Sequence, residues 1–121
     1  MKVTAKHNER IAKKVFGTVY PLYLSRLEKH GRTQAELNQV IRWLTGFSDA
    51  KIQKMIDNKV TFETFFGATT LHPNAHLIKG VICGYRIEDI DNPLTRQTRY
   101  LDKLVDELAR GRKMEKILRT E

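Results

Sequence analysis

The sequence predicts a mainly α-helical fold, a compact bundle of five to seven short helices that pack at steep angles. Apolar residues recur at intervals of three and four along most of the chain, and helix-start and helix-stop residues separate these periodic segments. The length of 121 residues and the 40% hydrophobic content fit one domain with its own core. We therefore expect residues 15–121 to form a single helical domain after a basic, loosely ordered segment at residues 1–14.

The first periodic segment runs from Phe16 to Leu27 and contains Pro21. Proline is tolerated in the first turn of a helix, where its missing N–H would have no partner anyway. The regular helix is therefore predicted to begin near Tyr20. Gly31 suits the left-handed position after a helix and is predicted to end it.

Two more helices follow at short intervals. Thr33 and Glu36 have the spacing of a capping box, and this helix is predicted to end at Gly46. Ser48 is predicted to cap the next helix. A short aromatic segment comes after it, and we interpret its three phenylalanines as core residues because aromatic side chains dominate burial energetics. They are Phe62, Phe65 and Phe66.

Residues 77–90 are the one ambiguous stretch, since their apolar positions fit both a helix face and the alternation of a strand. Gly80 and Gly84 weaken a helix, each by about 1 kcal/mol relative to alanine. A strand would need a partner, and only residues 1–7 offer one. We favour a helix, and the alternative is an α+β fold with a minor strand at residues 81–87.

The last long helix has a clear start at Asn92 and Pro93, a capping residue followed by proline at the first helical position. Gly111 is predicted to end it. A further short apolar face follows, turned away from the previous one, so a separate terminal helix is expected. Its apolar residues are Met114, Ile117 and Leu118.

The net charge of +8 is concentrated at the two ends of the chain. Residues 1–14 hold five basic residues and one glutamate, and residues 110–121 hold five basic residues and two glutamates, whereas residues 15–109 are nearly neutral. Basic ends of this kind are typical of contacts with phosphates, and the alternative is that they only keep the protein soluble. The candidate nucleic-acid-binding residues are Lys6, Arg10, Lys13, Lys14, Arg112, Lys113 and Lys116.

Six blocks of sequence occur in an order typical of one family: 20–23 (YPLY), 31–33 (GRT), 43–46 (WLTG), 62–66 (FETFF), 84–88 (GYRIE) and the run 99–118. Together they resemble the uncharacterised bacterial proteins catalogued as domain of unknown function 2200. The resemblance covers residues 16–119 and is most specific in the last block. It implies a short stand-alone bacterial protein and transfers no catalytic residue. Residues 1–14 are more basic than this family leads us to expect and are not interpreted through it.

Cys83 is the single cysteine, which excludes an intramolecular disulfide and a thiolate zinc cage and fits a reducing compartment. We therefore expect a cytoplasmic protein, and the chain has no apolar run of the length that a membrane span requires. With Tyr85 and Arg86, Cys83 forms a candidate ligand-binding set. Its apolar neighbours nevertheless predict a buried structural thiol, and no histidine is placed by the sequence to act as its base.

Other patterns have simpler structural explanations. The second helix of a potential helix-turn-helix at residues 33–58 has no net charge, unlike a DNA-reading helix. Pro73 interrupts the pair of His72 and His76, so no metal site is predicted. The acidic residues 88, 89 and 91 precede a helix start, where negative charge is favourable. The alternating charges between residues 99 and 110 are interpreted as a solvated ion-pair face.

These observations predict a small binding or interaction module that associates with nucleic acid through its basic ends, with no catalytic residue and no cofactor. The alternative is a small enzyme or ligand-binding protein with a pocket near Cys83, Tyr85 and Arg86. Self-association is a separate hypothesis, because Trp43 lies beside its helix stripe and the terminal helix has an apolar face.

Overall fold

The structure, a computed structural model, describes residues 4–120. Within that range the chain forms seven α-helices and one antiparallel hairpin of two short strands, which confirms the prediction of a mainly α fold. The helices are α1 (Ala5–Lys13), α2 (Phe16–Lys29), α3 (Gln34–Thr45), α4 (Asp49–Asp57), α5 (Phe62–Gly67), α6 (Pro93–Ala109) and α7 (Met114–Ile117). The hairpin comprises β1 (Val81–Ile82) and β2 (Tyr85–Arg86), and short 3-10 turns at Ala75–Leu77 and Ile87–Asp89 flank it.

Helix α6 is the central element of the fold. It is the longest helix, with 17 residues that span about 25 Å, and it packs against α1, α2, α3, α5 and α7. Its core-facing apolar residues Leu101, Leu104, Val105 and Leu108 are buried. Among the helices between residues 4 and 120, none is both long and apolar enough to cross a membrane.

The aromatic residues of α5 form the centre of the core, as predicted. Phe65 is fully buried and stacks on Phe16 with ring centroids 4.1 Å apart. Phe47, Phe62 and Phe66 meet Phe65 edge to face at 5.2, 6.3 and 5.0 Å. These separations are those of favourable aromatic pairs, so the cluster joins α2, α5 and the α3–α4 connection.

The predicted helix starts are confirmed by their capping hydrogen bonds. Thr33 and Glu36 form both halves of the capping box of α3. Ser48 accepts a hydrogen bond from the backbone N–H of Lys51 at the start of α4. Asn92 caps α6, with Pro93 at its first position.

The start of α2 differs from the prediction, because the helix begins at Phe16 and carries Pro21 in its interior. The ring of Pro21 removes one intrahelical hydrogen bond, but burial of Phe16 and Tyr20 on the same face stabilises the helix through this position. Gly17 allows the early start. A Cβ atom there would lie 2.9 Å from the carbonyl oxygen of Ile56, so α2 approaches α4 more closely than a side chain would permit.

The prediction of a helix at residues 77–90 is wrong. Val81 pairs with Arg86 and Ile82 pairs with Tyr85, so this stretch supplies its own strand partner. The two residues between the strands, Cys83 and Gly84, have φ angles of 54° and 82°. Positive φ at both central positions is the geometry of a type I′ turn, whose twist matches that of a hairpin.

The basic segment 1–14, expected to be loosely ordered, contains helix α1. Thr4 caps the helix by accepting a hydrogen bond from the backbone N–H of His7, and Ile11 is buried. Immediately after α1, the chain pairs with the α4–α5 connection: the N–H of Phe16 donates to Val60 at 2.9 Å, and the N–H of Phe62 donates to Lys14 at 2.8 Å. This backbone pairing holds α1 beside α5.

Candidate functional site

An exposed cationic surface is formed by Lys6, Arg10 and Lys13 of helix α1 and by Lys14, the residue that follows the helix, and we call it the cationic face. At about 100° per residue, the first three of these side chains fall within an arc of about 60° on the helix. Ile11 is on another side of the helix and faces the core. The sequence-predicted basic residues of this end therefore share one solvent-facing surface.

Arg10 differs from the other arginines of the chain. Eight of the ten arginines form ion pairs with carboxylates within residues 4–120. Arg96 donates instead to the backbone carbonyl of Ile90 at 3.0 Å. Among the described residues, Arg10 alone of the arginines has no ion-pair or hydrogen-bond acceptor. Its guanidinium is thus available to an anion from outside the chain.

The basic residues of the C-terminal end lie elsewhere. Helix α1 contacts the N-terminal half of α6, where Thr95 donates a hydrogen bond to Asn8 at 2.6 Å. Lys113 and Lys116 are exposed beyond the other end of the same helix. Arg112 forms an ion pair with Glu107 at 2.9 Å. The structure therefore does not join the two basic ends into one surface.

A chain of polar side chains lies beside the cationic face and links α1, α2 and α6. Arg99 donates from Nη2 to Nε2 of His7 at 3.1 Å and from Nη1 to Asp102 at 2.9 Å. The hydroxyl of Tyr23 donates to the other oxygen of Asp102 at 2.6 Å. The ring of Tyr85 closes the cluster, 5.3 Å from the His7 ring and 5.7 Å from the Arg99 guanidinium carbon.

The electrostatics of this cluster fix its protonation. Burial raises the pKa of Tyr23 well above its usual range, and the charge of Asp102 adds to that effect, so the phenol keeps its proton and donates. Burial lowers the pKa of His7, and the positive charges of Arg99, Arg10 and Lys14 lower it further. His7 is therefore a neutral acceptor for Arg99, with burial as the main cause of its lowered pKa and the neighbouring cations as a further one.

The predicted ligand-binding residues Cys83, Tyr85 and Arg86 do not form one pocket in the described part of the chain. Tyr85 packs on His7 and Arg99. Arg86 is exposed and lies 3.9 Å from Asp89. Cys83 lines a separate groove.

Cys83 is exposed at the hairpin turn, so the prediction of a buried thiol is wrong. The turn places its side chain at the surface although its sequence neighbours are apolar. Partial burial nevertheless raises the pKa of the thiol, and the charge of Asp102 adds to this effect. The raised pKa leaves little thiolate at neutral pH, and this environment does not activate a nucleophile.

The groove beside Cys83 lies between the hairpin and the C-terminal half of α6 and has a volume of about 700 Å³. We call it the hairpin groove. It contains no histidine among its lining residues. They are Val81, Ile82, Cys83, Lys103, Asp106, Glu107, Arg110 and Arg112.

Two buried carboxylates of α6 were missed by the sequence interpretation. Asp106 and Glu107 are only 5% and 6% exposed, so the prediction of a solvated ion-pair face is wrong for this part of the helix. Arg26 and Arg110 bind Asp106 at 2.7 and 2.9 Å. The only signal in the sequence was the abundance of arginine near the chain end, since arginine is the usual partner of buried carboxylates.

Asp106 is expected to make the stability of the protein fall on acidification. Burial disfavours its charged form, but the hydrogen bonds from Arg26 and Arg110 outweigh burial and hold its pKa below the ordinary value. Protons then bind the unfolded chain more readily, so the contribution is complete at neutral pH and is lost as the pH falls through the lowered folded-state pKa. Urea unfolding should show that Asp106→Asn destabilises the protein at neutral pH and that the difference from wild type shrinks below about pH 4.

The exposed Asp57→Asn substitution is the matched control for this experiment, since it removes the same charge from the surface of α4. It should shift stability by no more than about 0.5 kcal/mol at either pH. A difference for Asp106→Asn that grows on acidification would contradict the assignment of a lowered pKa.

The remaining sequence candidates have structural roles. Nδ1 of His72 accepts a hydrogen bond from Asn74, and residues 4–120 contain no cluster of three or more potential metal ligands. Glu88 accepts a hydrogen bond from the backbone of Gly80. Trp43 stacks on His72 at 4.2 Å and donates to Thr120, so it is occupied within the chain. In α7, Ile117 is fully buried, and Met114 and Leu118 pack against the core with partial exposure.

Comparison with known proteins gives two matches. The family model described as an uncharacterized protein conserved in bacteria, DUF2200, matches residues 10–119. The crystal structure of uncharacterized protein SP1917 is 36% identical, with a TM-score of 0.84 over 91% of each chain. No curated protein matches the chain.

Proposed function

Because the chain belongs to the DUF2200 family of uncharacterised bacterial proteins, its activity has to be inferred from its surface, and we propose that it is a nucleic-acid-binding module that uses the cationic face of α1. The observation that carries this proposal is that Arg10 has no ion-pair or hydrogen-bond acceptor among the described residues. In a chain whose arginines are otherwise engaged within the described residues, this guanidinium is left available on a surface that also exposes three lysines.

The surroundings of the face support a phosphate-bearing partner. Four cations along about two turns of helix match the close spacing of phosphates on a nucleic-acid backbone. His7 and Tyr85 add aromatic rings at the edge of the face, and aromatic side chains beside a basic surface are typical of proteins that bind single strands. Lys113 and Lys116 are not included, because they lie at the opposite end of α6.

The proposal is tested by removing three cations from the face. A Lys6→Ala, Arg10→Ala and Lys13→Ala triple variant should bind a fluorescent oligonucleotide at least about tenfold more weakly at low salt. Its salt dependence should also fall, with a slope of log K against log salt smaller by about 2 to 3, since three phosphate contacts are lost. Anisotropy titrations with single-stranded RNA, single-stranded DNA and duplex DNA give both quantities.

The matched control is the Lys29→Ala, Lys51→Ala and Lys54→Ala variant, which removes the same charge from exposed positions on α2 and α4. It should keep most of the affinity and the slope of the wild type. Equal losses in both triple variants would show attraction by net charge alone and would overturn the proposal, as would a wild-type protein that binds none of the three nucleic acids.

A further inference from the structure

The hairpin groove is lined by three cations and two carboxylates, and both carboxylates also pair with arginines outside the groove. Arg26 approaches Asp106 at 2.7 Å and is not among the groove's lining residues. Arg119 binds Glu107 through two hydrogen bonds, at 2.9 and 2.8 Å, and is also outside the groove. Each buried carboxylate is therefore neutralised by an arginine outside the groove. The positive charges of the cations that line the groove are left in excess.

The excess consists of Lys103, Arg110 and Arg112, which together carry three positive charges. Arg110 uses Nε to bind Asp106, and Arg112 uses Nη1 to bind Glu107. A guanidinium has five N–H donors, so both side chains retain free donors. The carboxylates hold these arginines at the groove while their side chains remain 76% and 45% exposed.

The hairpin adds apolar residues to the lining of the groove. Val81 is 54% exposed and is one of the few large hydrophobic residues at the surface of the described chain. Ile82 is half-buried next to it. A ligand that contacts both the cations and Val81 carries an anionic group beside an apolar group.

We propose that the hairpin groove binds a small organic phosphate, with the phosphate on Arg110 and Arg112 and the apolar part against Val81. A phosphate dianion matches an excess of three positive charges better than a single carboxylate does, and arginine forks bind phosphate oxygens in pairs. The volume of about 700 Å³ is in the range of small-molecule sites. This site is separate from the nucleic-acid proposal, since no residue of the cationic face lines the groove.

Cys83 provides a direct measure of occupancy because it lines the groove and is exposed. In mildly alkaline buffer, phenyl phosphate should protect this thiol from alkylation by iodoacetamide in a saturable manner. At about ten times its Kd the labelling rate should fall about tenfold, since only the unoccupied protein reacts. Phenol, which lacks the phosphate, should give no protection, and inorganic phosphate should compete with phenyl phosphate.

Two double variants test whether Arg110 and Arg112 bind the phosphate. The Arg110→Gln and Arg112→Gln double variant should lose the protection, and the Lys113→Gln and Lys116→Gln variant, with the same loss of charge outside this groove, should keep it. Protection is a ratio of rates within each variant, so altered thiol reactivity cancels. If the double variant is unfolded by circular dichroism, the single Arg110→Gln variant, at a position whose side chain is 76% exposed, replaces it.

Three results would overturn the proposal: no protection of the wild-type thiol, equal protection by phenol, or equal loss in the two double variants. The triple variant of the cationic face distinguishes this site from the nucleic-acid site. It should retain full protection of Cys83 by phenyl phosphate even where it no longer binds nucleic acid.

Discussion

Phe65→Ala is expected to lower the free energy of unfolding by about 3–5 kcal/mol, a large part of the total stability of a small domain. Phe65 is fully buried and contacts four other aromatic rings, with the closest centroid, that of Phe16, 4.1 Å away. Truncation to alanine leaves a cavity at the point where α2, α5 and the α3–α4 connection meet. These elements cannot all move together to fill it, which places the cost in the upper part of the range for core residues.

Urea unfolding followed by circular dichroism measures this effect. Leu22→Ala is the matched control, because it also removes a large apolar side chain but from a position that is 66% exposed. The control should change stability by no more than about 0.5 kcal/mol. A loss below about 1 kcal/mol for Phe65→Ala would contradict the assignment of the aromatic cluster as the centre of the core.

Glu107→Gln is expected to destabilise the protein by about 3 kcal/mol, the low end of the cost of breaking a buried ion pair. Glu107 accepts two hydrogen bonds from Arg119 and approaches Arg112 at 2.9 Å. The side chain of Arg119 is only 14% exposed, so its charge would stay largely buried without a carboxylate. Arg112 is more exposed and can be hydrated, which keeps the total cost from reaching the upper limit.

A thermal or urea melt of Glu107→Gln next to the exposed Glu115→Gln variant isolates the effect of burial, since both remove one carboxylate near the end of the chain. A Glu107→Gln and Arg119→Met double variant should recover part of the lost stability, because the stranded charge is removed as well. Equal stability of Glu107→Gln and Glu115→Gln would show that the buried ion pair contributes nothing.

The elements predicted correctly from the sequence are those set by local chemistry. The capping box of Thr33 and Glu36, the Asn92–Pro93 start of α6 and the core role of Phe65 each depend on residues close together in the chain. Such signals do not require knowledge of the tertiary fold, and here tertiary packing agrees with them.

The errors occur where tertiary contacts decide the outcome. Cys83 is not a typical turn residue, so the type I′ turn with Gly84 was hidden in a stretch that also fits a helix face. No helix was predicted at the position of α1, because the backbone pairing that holds it involves residues distant in the sequence. Asp106 looked solvated because a helix sequence shows charge but not the arginines that approach from α2.

The candidate sites were only partly predictable for the same reason. The sequence identified Lys6, Arg10, Lys13 and Lys14 as basic, but only the fold places them on one face and separates them from the C-terminal cations. The hairpin groove contains Cys83, a predicted ligand-binding residue, and Arg112, a predicted nucleic-acid residue. Its remaining charged residues lie on or just after α6, whose alternating charges were interpreted as an ordinary solvated surface.

The ion pairs of the described chain are all made by arginines, and no lysine within residues 4–120 takes part in one. The lysines therefore contribute net charge without forming ion pairs, whereas the arginines form the ion pairs that stabilise the fold. Lysines can be acetylated, or exchanged during evolution, with little effect on the ion pairs that hold α6 in place. A change from arginine to lysine would preserve the net charge of the protein at neutral pH while removing the paired hydrogen bonds that a buried carboxylate requires.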